Sequence, residues 1–245
     1  IIYMLSGNAS GRNICPWLTP ECALYCLVNA GMGVFKKTRL ARLWRTLQYL
    51  DNRQEFLIQA KSELIKFELI SRYVGKPLAI RPNGTSDMPS LAKDIVKLVR
   101  EIKHERVNDP NYPKLRGKYA NPPAKLQPIM VYDYTKQPQP EKREIPDEYY
   151  LIFSAAETED NMQEVCRLLW GGILNVAMVF NVAKGNLPTH HTLTHPITGE
   201  QKTFQVINGD KSDNRWLDKR RPVCIVGLSA KGPAKKAKEG FVVAA

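Results

Sequence analysis

Seven short, nearly continuous apolar runs recur along the chain: 1–8 (IIYMLSGN), 76–87 (KPLAIRPNGTSD), 128–135 (PIMVYDYT), 149–155 (YYLIFSA), 175–182 (NVAMVFNV), 202–209 (KTFQVING) and 223–230 (VCIVGLSA). Runs that are continuous rather than alternating suit parallel strands covered on both faces. Between several of them the spacing turns helical. Leu40, Leu43, Leu47 and Leu50 mark one helix ending near Asp51. Phe56, Leu57, Leu64, Phe67 and Ile70 mark a second, stopped by Gly75 and Pro77. Further helices are predicted over 91–102, behind a Ser90 cap, and over 157–172, which opens on acids and closes on glycine. Strand–helix alternation predicts an α/β fold. The expected object is an open or incomplete (β/α) barrel of mostly parallel strands, one domain over 1–245. No repeat or linker divides it. Residues 108–127 read as an irregular Pro-rich insertion and 231–245 as a basic C-terminal segment.

Chemistry in such folds gathers at the C-terminal ends of the strands, and polar residues collect there. Asn8 follows the first run, Asn83–Asp87 the second, Asp133 and Thr135 the third, and Ser154 and Glu157 the fourth. Asn181 and Lys184 follow the fifth, Asn208 and Asp210 the sixth, and Ser229 and Lys231 the last. Tyr132 and Tyr134 flank Asp133 and must share the face opposite to it.

Three of the five cysteines fall in the loop 14–28 behind the first run: Cys15, Cys22 and Cys26, spaced C-x6-C-x3-C. The chain is neither small nor Cys-dense, so a reducing cytoplasm and metal binding are expected rather than disulfides. Three thiolates from one loop can hold three irons of a four-iron cluster and leave the fourth iron open. Zinc would need a fourth ligand, from His190, His191 or His195, or from Cys166 or Cys224. Simple packing of small buried thiols is the third reading. Spacing alone leaves all three open. Cys166, on a helical apolar face, and Cys224, inside a strand, read as core thiols.

A strand, a three-Cys loop, a long helix and further βα units together resemble the radical SAM superfamily. Its loop is usually C-x3-C-x2-C, and a Gly-rich turn after its second strand helps bind the methionine moiety. NGTSD (83–87) stands in the similar place. A closer likeness rests on SGN…CPWLTPECALYCL, RPNGTSD, LIFSAAETEDN, NVAMVFN and INGDKSDNRWLD…VCIVGLSAKG. These pieces together resemble the bacteriophage gene product eighty-eight family over most of the chain. The resemblance implies a phage origin and an incomplete (β/α)6-type, radical-SAM-like barrel in the cytoplasm of an infected host. It implies a [4Fe-4S] cluster on Cys15, Cys22 and Cys26, with S-adenosylmethionine a candidate for the open iron and Asn83, Gly84, Thr85 and Asp87 candidates to bind it. It implies no established reaction.

NGDKSDNRWLD (208–218) is the densest acidic cluster. Asp210, Asp213 and Asp218 could bind Mg²⁺ or ribose hydroxyls, with Asn208 a candidate beside them, and Arg215 could hold a carboxylate or phosphate bidentately. The plainer reading is a self-paired surface turn, with Asp capping a short helix. GLSAKGPAKKAK (227–238) could cradle a phosphate or carboxylate around Lys231, or contact nucleic-acid phosphates through Lys231, Lys235, Lys236 and Lys238, the plainer reading being a solvated basic tail. FKKTRLARLWR (35–45) adds a second basic run whose Phe35 and Trp44 read as core or interface.

Net charge brings in the partner. At +12 the chain favours a polyanion, nucleic acid or nucleotide, although no RNP motif or Cys/His finger is present. No apolar run approaches the ~20 residues that span a bilayer, and IIYML lacks the basic flank and length of a signal peptide. Two functions follow. One is a radical-SAM-like iron–sulfur enzyme acting on a nucleic acid or nucleotide. The other is a non-catalytic nucleic-acid- or partner-binding phage protein with a structural or redox iron–sulfur or zinc site.

Overall fold

A computed structural model describes residues 1–113, 126–143, 146–237 and 240–244. Among the described residues the predicted helices form, together with one inside the Cys loop. A short α1 (Pro20–Leu24) lies inside the Cys loop. The helices α2 (Lys36–Asp51) and α3 (Arg53–Val74) are separated by a break at Asn52. Gly75 ends α3 at φ 67°, a left-handed position open to a residue without a Cβ. Pro89 opens α4 (Pro89–Asn108), and the Thr158 side chain accepts from the Asn161 N–H to cap α5 (Glu159–Trp170).

The strands are β1 (Leu78–Ile80), β2 (Ile129–Thr135), β3 (Tyr149–Ser154), β4 (Val176–Phe180), β5 (His190–Thr194), β6 (Gln201–Asn208), β7 (Ile225–Ser229) and β8 (Val242–Val243). They build one sheet in the order β1-β2-β3-β4-β7-β6-β5, with β8 pairing β4. Every pairing is parallel except β5 with β6. The sheet is therefore mixed α/β and mostly parallel, as expected, but it does not close into a barrel: β1 and β5 lie at its two ends. Two strands were not legible as apolar runs. In β5, HHTLT, Leu193 is the buried residue of an otherwise polar, largely exposed edge strand, and β8 has only two residues.

The expected strand at 1–8 is not one. Ile2 donates to the Arg81 carbonyl at 2.9 Å and Gly84 donates to the Ile2 carbonyl at 2.8 Å, so the segment crosses the turn behind β1 instead of extending the ladder. Gly84 permits that crossing, because a Cβ there would meet Tyr3 Cδ1 at 2.6 Å and the Ile2 oxygen at 2.8 Å.

Both sheet faces are buried, which is why the strand runs read as continuous. Ile95, Val99 and Ile102 of α4 pack on Ile129, Val131 and Leu151, and Val165, Leu168 and Leu169 of α5 pack on Phe153, Val176 and Met178. On the other face Tyr132, Tyr150, Ile152, Ala177 and Val226 form a second layer with Trp216 of the 3₁₀ turn Arg215–Arg220. Phe35 and Trp44, by contrast, are exposed and not core. Most of the Pro-rich insertion (114–125), together with Lys238 and residues 239 and 245, lies outside the described residues. Among the described residues, no helix is long and apolar enough to cross a membrane.

Candidate active site

β3 and β4 are paired only at Phe153↔Val176 and Ser154↔Ala177. Beyond that point they part, and β8 takes the place beside β4 through Val179↔Val242 and Phe180↔Val243. Diverging strand ends in a parallel sheet leave a crevice at their carboxyl side. A cavity of about 220 Å³ opens there, floored by Ser154, Ala177 and Val179 and roofed by the Cys loop. Cys15, Cys22 and Cys26 all line it.

The roof is held from three directions. Glu157, at the β3–α5 junction, accepts from Thr19 Oγ1 at 2.8 Å and from the Glu21 N–H at 2.9 Å, which caps α1. Glu157 thus caps a helix 136 residues away in sequence, not the one it precedes. Glu21 in turn accepts from the Phe241 N–H at 2.7 Å, joining the Cys loop to the C-terminal segment. Asp87 donates its N–H to the Ile14 carbonyl at 3.0 Å.

Cys15 is buried, and its sulfur accepts the Gly7 N–H at 3.4 Å. Burial pushes its thiol up to about 11, against the downward pull of that N–H, so it is protonated at neutral pH and metal binding must displace the proton. Cys22 and Cys26 are half-buried, and all five cysteines are free. Thiol donors in one pocket, one of them already carrying an N–H···S bond, fit the chemistry of an iron–sulfur ligand set. Among the described residues, however, no group of three His, Cys, Asp or Glu side chains is drawn together tightly enough to hold a metal ion. The histidines do not line the cavity. His191 stands edge-on to Phe180 and His195 edge-on to Trp170. Cys166 and Cys224 are core thiols away from it.

Of the other residues singled out by sequence, Gly84, Thr85, Asp87, Asp213 and Lys231 line the cavity. Asn83, Asn208, Asp210 and Arg215 do not. Asn83 is an organiser. It accepts from Ser86 Oγ at 2.7 Å and the Met88 N–H at 3.0 Å, and donates Nδ2 to the Met88 carbonyl and to Asp133 at 2.6 Å. Asn208 accepts the Asp210 N–H. Asp210 accepts from the Ser229 N–H at 2.8 Å and lies 3.0 Å from Lys231 Nζ. Burial would raise Asp210, but these donors hold it below its usual value. Arg215 is buried against Asp218 at 3.0 Å, so this pair is internal to its turn.

Trp17, Arg81, Tyr134, Lys136 and Phe241 also line the cavity and were not singled out as site residues. Only the position of Tyr134, Arg81 and Lys136 at strand ends could have flagged them.

Asp133 supports the floor from the helix side. It is fully buried and accepts the Asn83 N–H and side chain and the Tyr134 N–H, with Arg81 Nε 3.9 Å away. Burial outweighs these partners and pushes its carboxyl up to about 7, from an ordinary 3.8. The folded state therefore keeps a proton that the unfolded chain loses above about pH 4, and stability falls as pH rises from there to about 7. Relative to wild type, Asp133→Asn should gain roughly 1.4 kcal/mol per pH unit across that window, measured as urea midpoints between pH 4.5 and 8. A pH-independent difference would mean that the carboxylate is ionised throughout.

A model of the Gene product 88 family matches residues 1–245, and the chain belongs to this phage gene-product family. No curated protein and no solved structure matches it.

Proposed function

We propose that this member of the Gene product 88 family is an iron–sulfur protein, with Cys15, Cys22 and Cys26 holding a [4Fe-4S] cluster that leaves one iron open to a small ligand. The observation that carries the reading is the convergence of all three thiols on one cavity at the carboxyl ends of parallel strands, with no imidazole beside them. When bound, such a cluster supplies one-electron chemistry, and the protein's part is to position and shield it. Here Glu157 and Phe241 fix the loop that carries the thiols, and the buried Cys15 excludes water from the inner wall. A radical-SAM-like enzyme of the infected cell's cytoplasm, taking S-adenosylmethionine at the open iron and acting on a nucleic acid or nucleotide, is the function this arrangement supports best. The +12 charge favours the anionic substrate.

Anaerobic iron and sulfide analysis tests the reading, with an absorption spectrum of wild type and of a Cys15/Cys22/Cys26→Ala variant. About four irons and four sulfides per chain, lost in the variant, are expected of a cubane cluster. One zinc and no sulfide would replace the enzyme with a structural-site protein that binds its partner through the basic surface. No metal in either protein would remove the proposal.

A further inference from the structure

Trp17, Tyr25, Tyr134 and Phe241 line the cavity, and all but Tyr25, which packs against Phe241, have a cation over the ring face. Arg81 lies 4.4 Å from the centre of the Tyr134 ring, Arg143 5.6 Å from that of Trp17, and Lys136 Nζ 5.7 Å from that of Phe241. The rings come from three distant parts of the chain, so the pattern is a property of the cavity and not of one segment.

The charges are unevenly compensated. Lys231 has Asp210 at 3.0 Å, and Arg81 has Asp133 at 3.9 Å. Among the described residues, no carboxylate lies within 4.0 Å of Lys136 Nζ, whose hydrogen bond goes to Ser154 Oγ at 3.2 Å. Asp87 is the carboxylate bonded to this residue's backbone. It accepts the Lys136 N–H at 2.8 Å and Thr135 Oγ1 at 3.1 Å, so its hydrogen bonds go to the backbone and a hydroxyl and not to the ammonium. Asp213 lines the cavity from an exposed turn. An ammonium and a hydroxyl presented together, with no carboxylate in direct contact with the ammonium, form an anion subsite. Cation-backed rings beside it offer stacking surfaces for a planar base.

From this geometry we infer that the cavity binds a nucleoside 5′-phosphate, its phosphate on Lys136 and Ser154 and its base against the Trp17, Tyr134 and Phe241 rings. The inference deepens the proposed function, since it names the ligand class of the same cavity, but it does not require the cluster to be loaded. At about 220 Å³ the space, open on one side, is far too small for a duplex and limits the ligand to a single unit. That unit is either a free nucleotide or the 5′-phosphorylated end of a single strand.

Isothermal titration of the full chain with AMP, UMP, adenosine, inorganic phosphate and a pentanucleotide with and without a 5′-phosphate tests it. Wild type should bind one AMP per chain at least about tenfold more tightly than adenosine or phosphate alone. Lys136→Gln should weaken AMP at least about tenfold with an unchanged melting temperature. Lys136→Arg should restore most of the affinity, and Lys235→Gln, in the exposed basic segment, should change nothing. Tighter binding of the phosphorylated pentanucleotide than of AMP identifies a strand end as the ligand, and the reverse identifies a free nucleotide. Equal binding of AMP and adenosine, equal losses in Lys136→Gln and Lys235→Gln, or no saturable AMP binding would overturn the inference. Iron and sulfide measured on the same samples keep the two questions apart. Nucleotide binding without a cluster refutes the iron–sulfur reading alone, and a cluster without nucleotide binding refutes this inference alone.

Discussion

Glu68→Ala is expected to lower the stability of the fold by about 3–5 kcal/mol, because it strips the partner from buried cations. The Glu68 carboxylate is 1% exposed and joins α3 to α4. It accepts from Arg72 Nε and Nη2, both at 2.8 Å, from Arg106 Nη1 at 3.2 Å and from the Tyr112 hydroxyl at 3.2 Å. Among the described residues, alanine would leave the Arg106 side chain, 8% exposed, with the Gln127 carbonyl at 2.9 Å as its hydrogen-bond partner. Glu63, exposed on the same helix and bonded to Gln59, is the control, and its alanine variant should stay within about 0.5 kcal/mol of wild type. Urea unfolding midpoints read both. A loss under about 1 kcal/mol for Glu68→Ala would mean that the two guanidiniums reach water when their partner goes.

Glu157→Ala should act locally, on the roof of the cavity. A five-residue helix is too short to persist on its own hydrogen bonds, so α1 depends on what holds its ends. Glu157 supplies two charge-assisted bonds there, each worth about 1.5–3 kcal/mol when shielded and less where water reaches them. The amides of Ala23 and Tyr25, bonded to the Thr19 and Glu21 carbonyls, should exchange with solvent at least about tenfold faster in the variant. Cys22 should alkylate faster in parallel. The amides of α5 and the buried Cys166 should be unchanged, which separates local opening from global unfolding. Glu157→Gln keeps one acceptor and should fall between. Unaltered exchange in α1 would mean that the tie from Glu21 to Phe241 holds the loop without Glu157.

The long helices were legible because their signal is local. Leucines three and four apart in 40–50, and a glycine or proline at an end, define α2 and α3 whatever lies around them. The central strands were legible because both sheet faces are buried, which makes their runs continuously apolar. The edge strand β5 was not, since an exposed edge needs little apolar surface. The first segment misled because its composition is strand-like, while its hydrogen bonds go to a turn.

By itself the sequence determined the α/β class, the two-helix unit before β1, the cysteine loop and the placement of polar residues behind strands. Those properties depend on neighbours a few residues apart. Only the tertiary structure decided which of these residues meet. It brought Glu157 to Thr19 across 138 residues and Phe241 to Glu21 across 220, and it took Asp210 and Arg215 into their own ion pairs. It also set Arg81, Lys136 and four aromatic rings around one cavity. Such contacts are set by strand order and by how far β3 and β4 diverge, and no local pattern encodes either, because each is a balance of packing over the whole sheet.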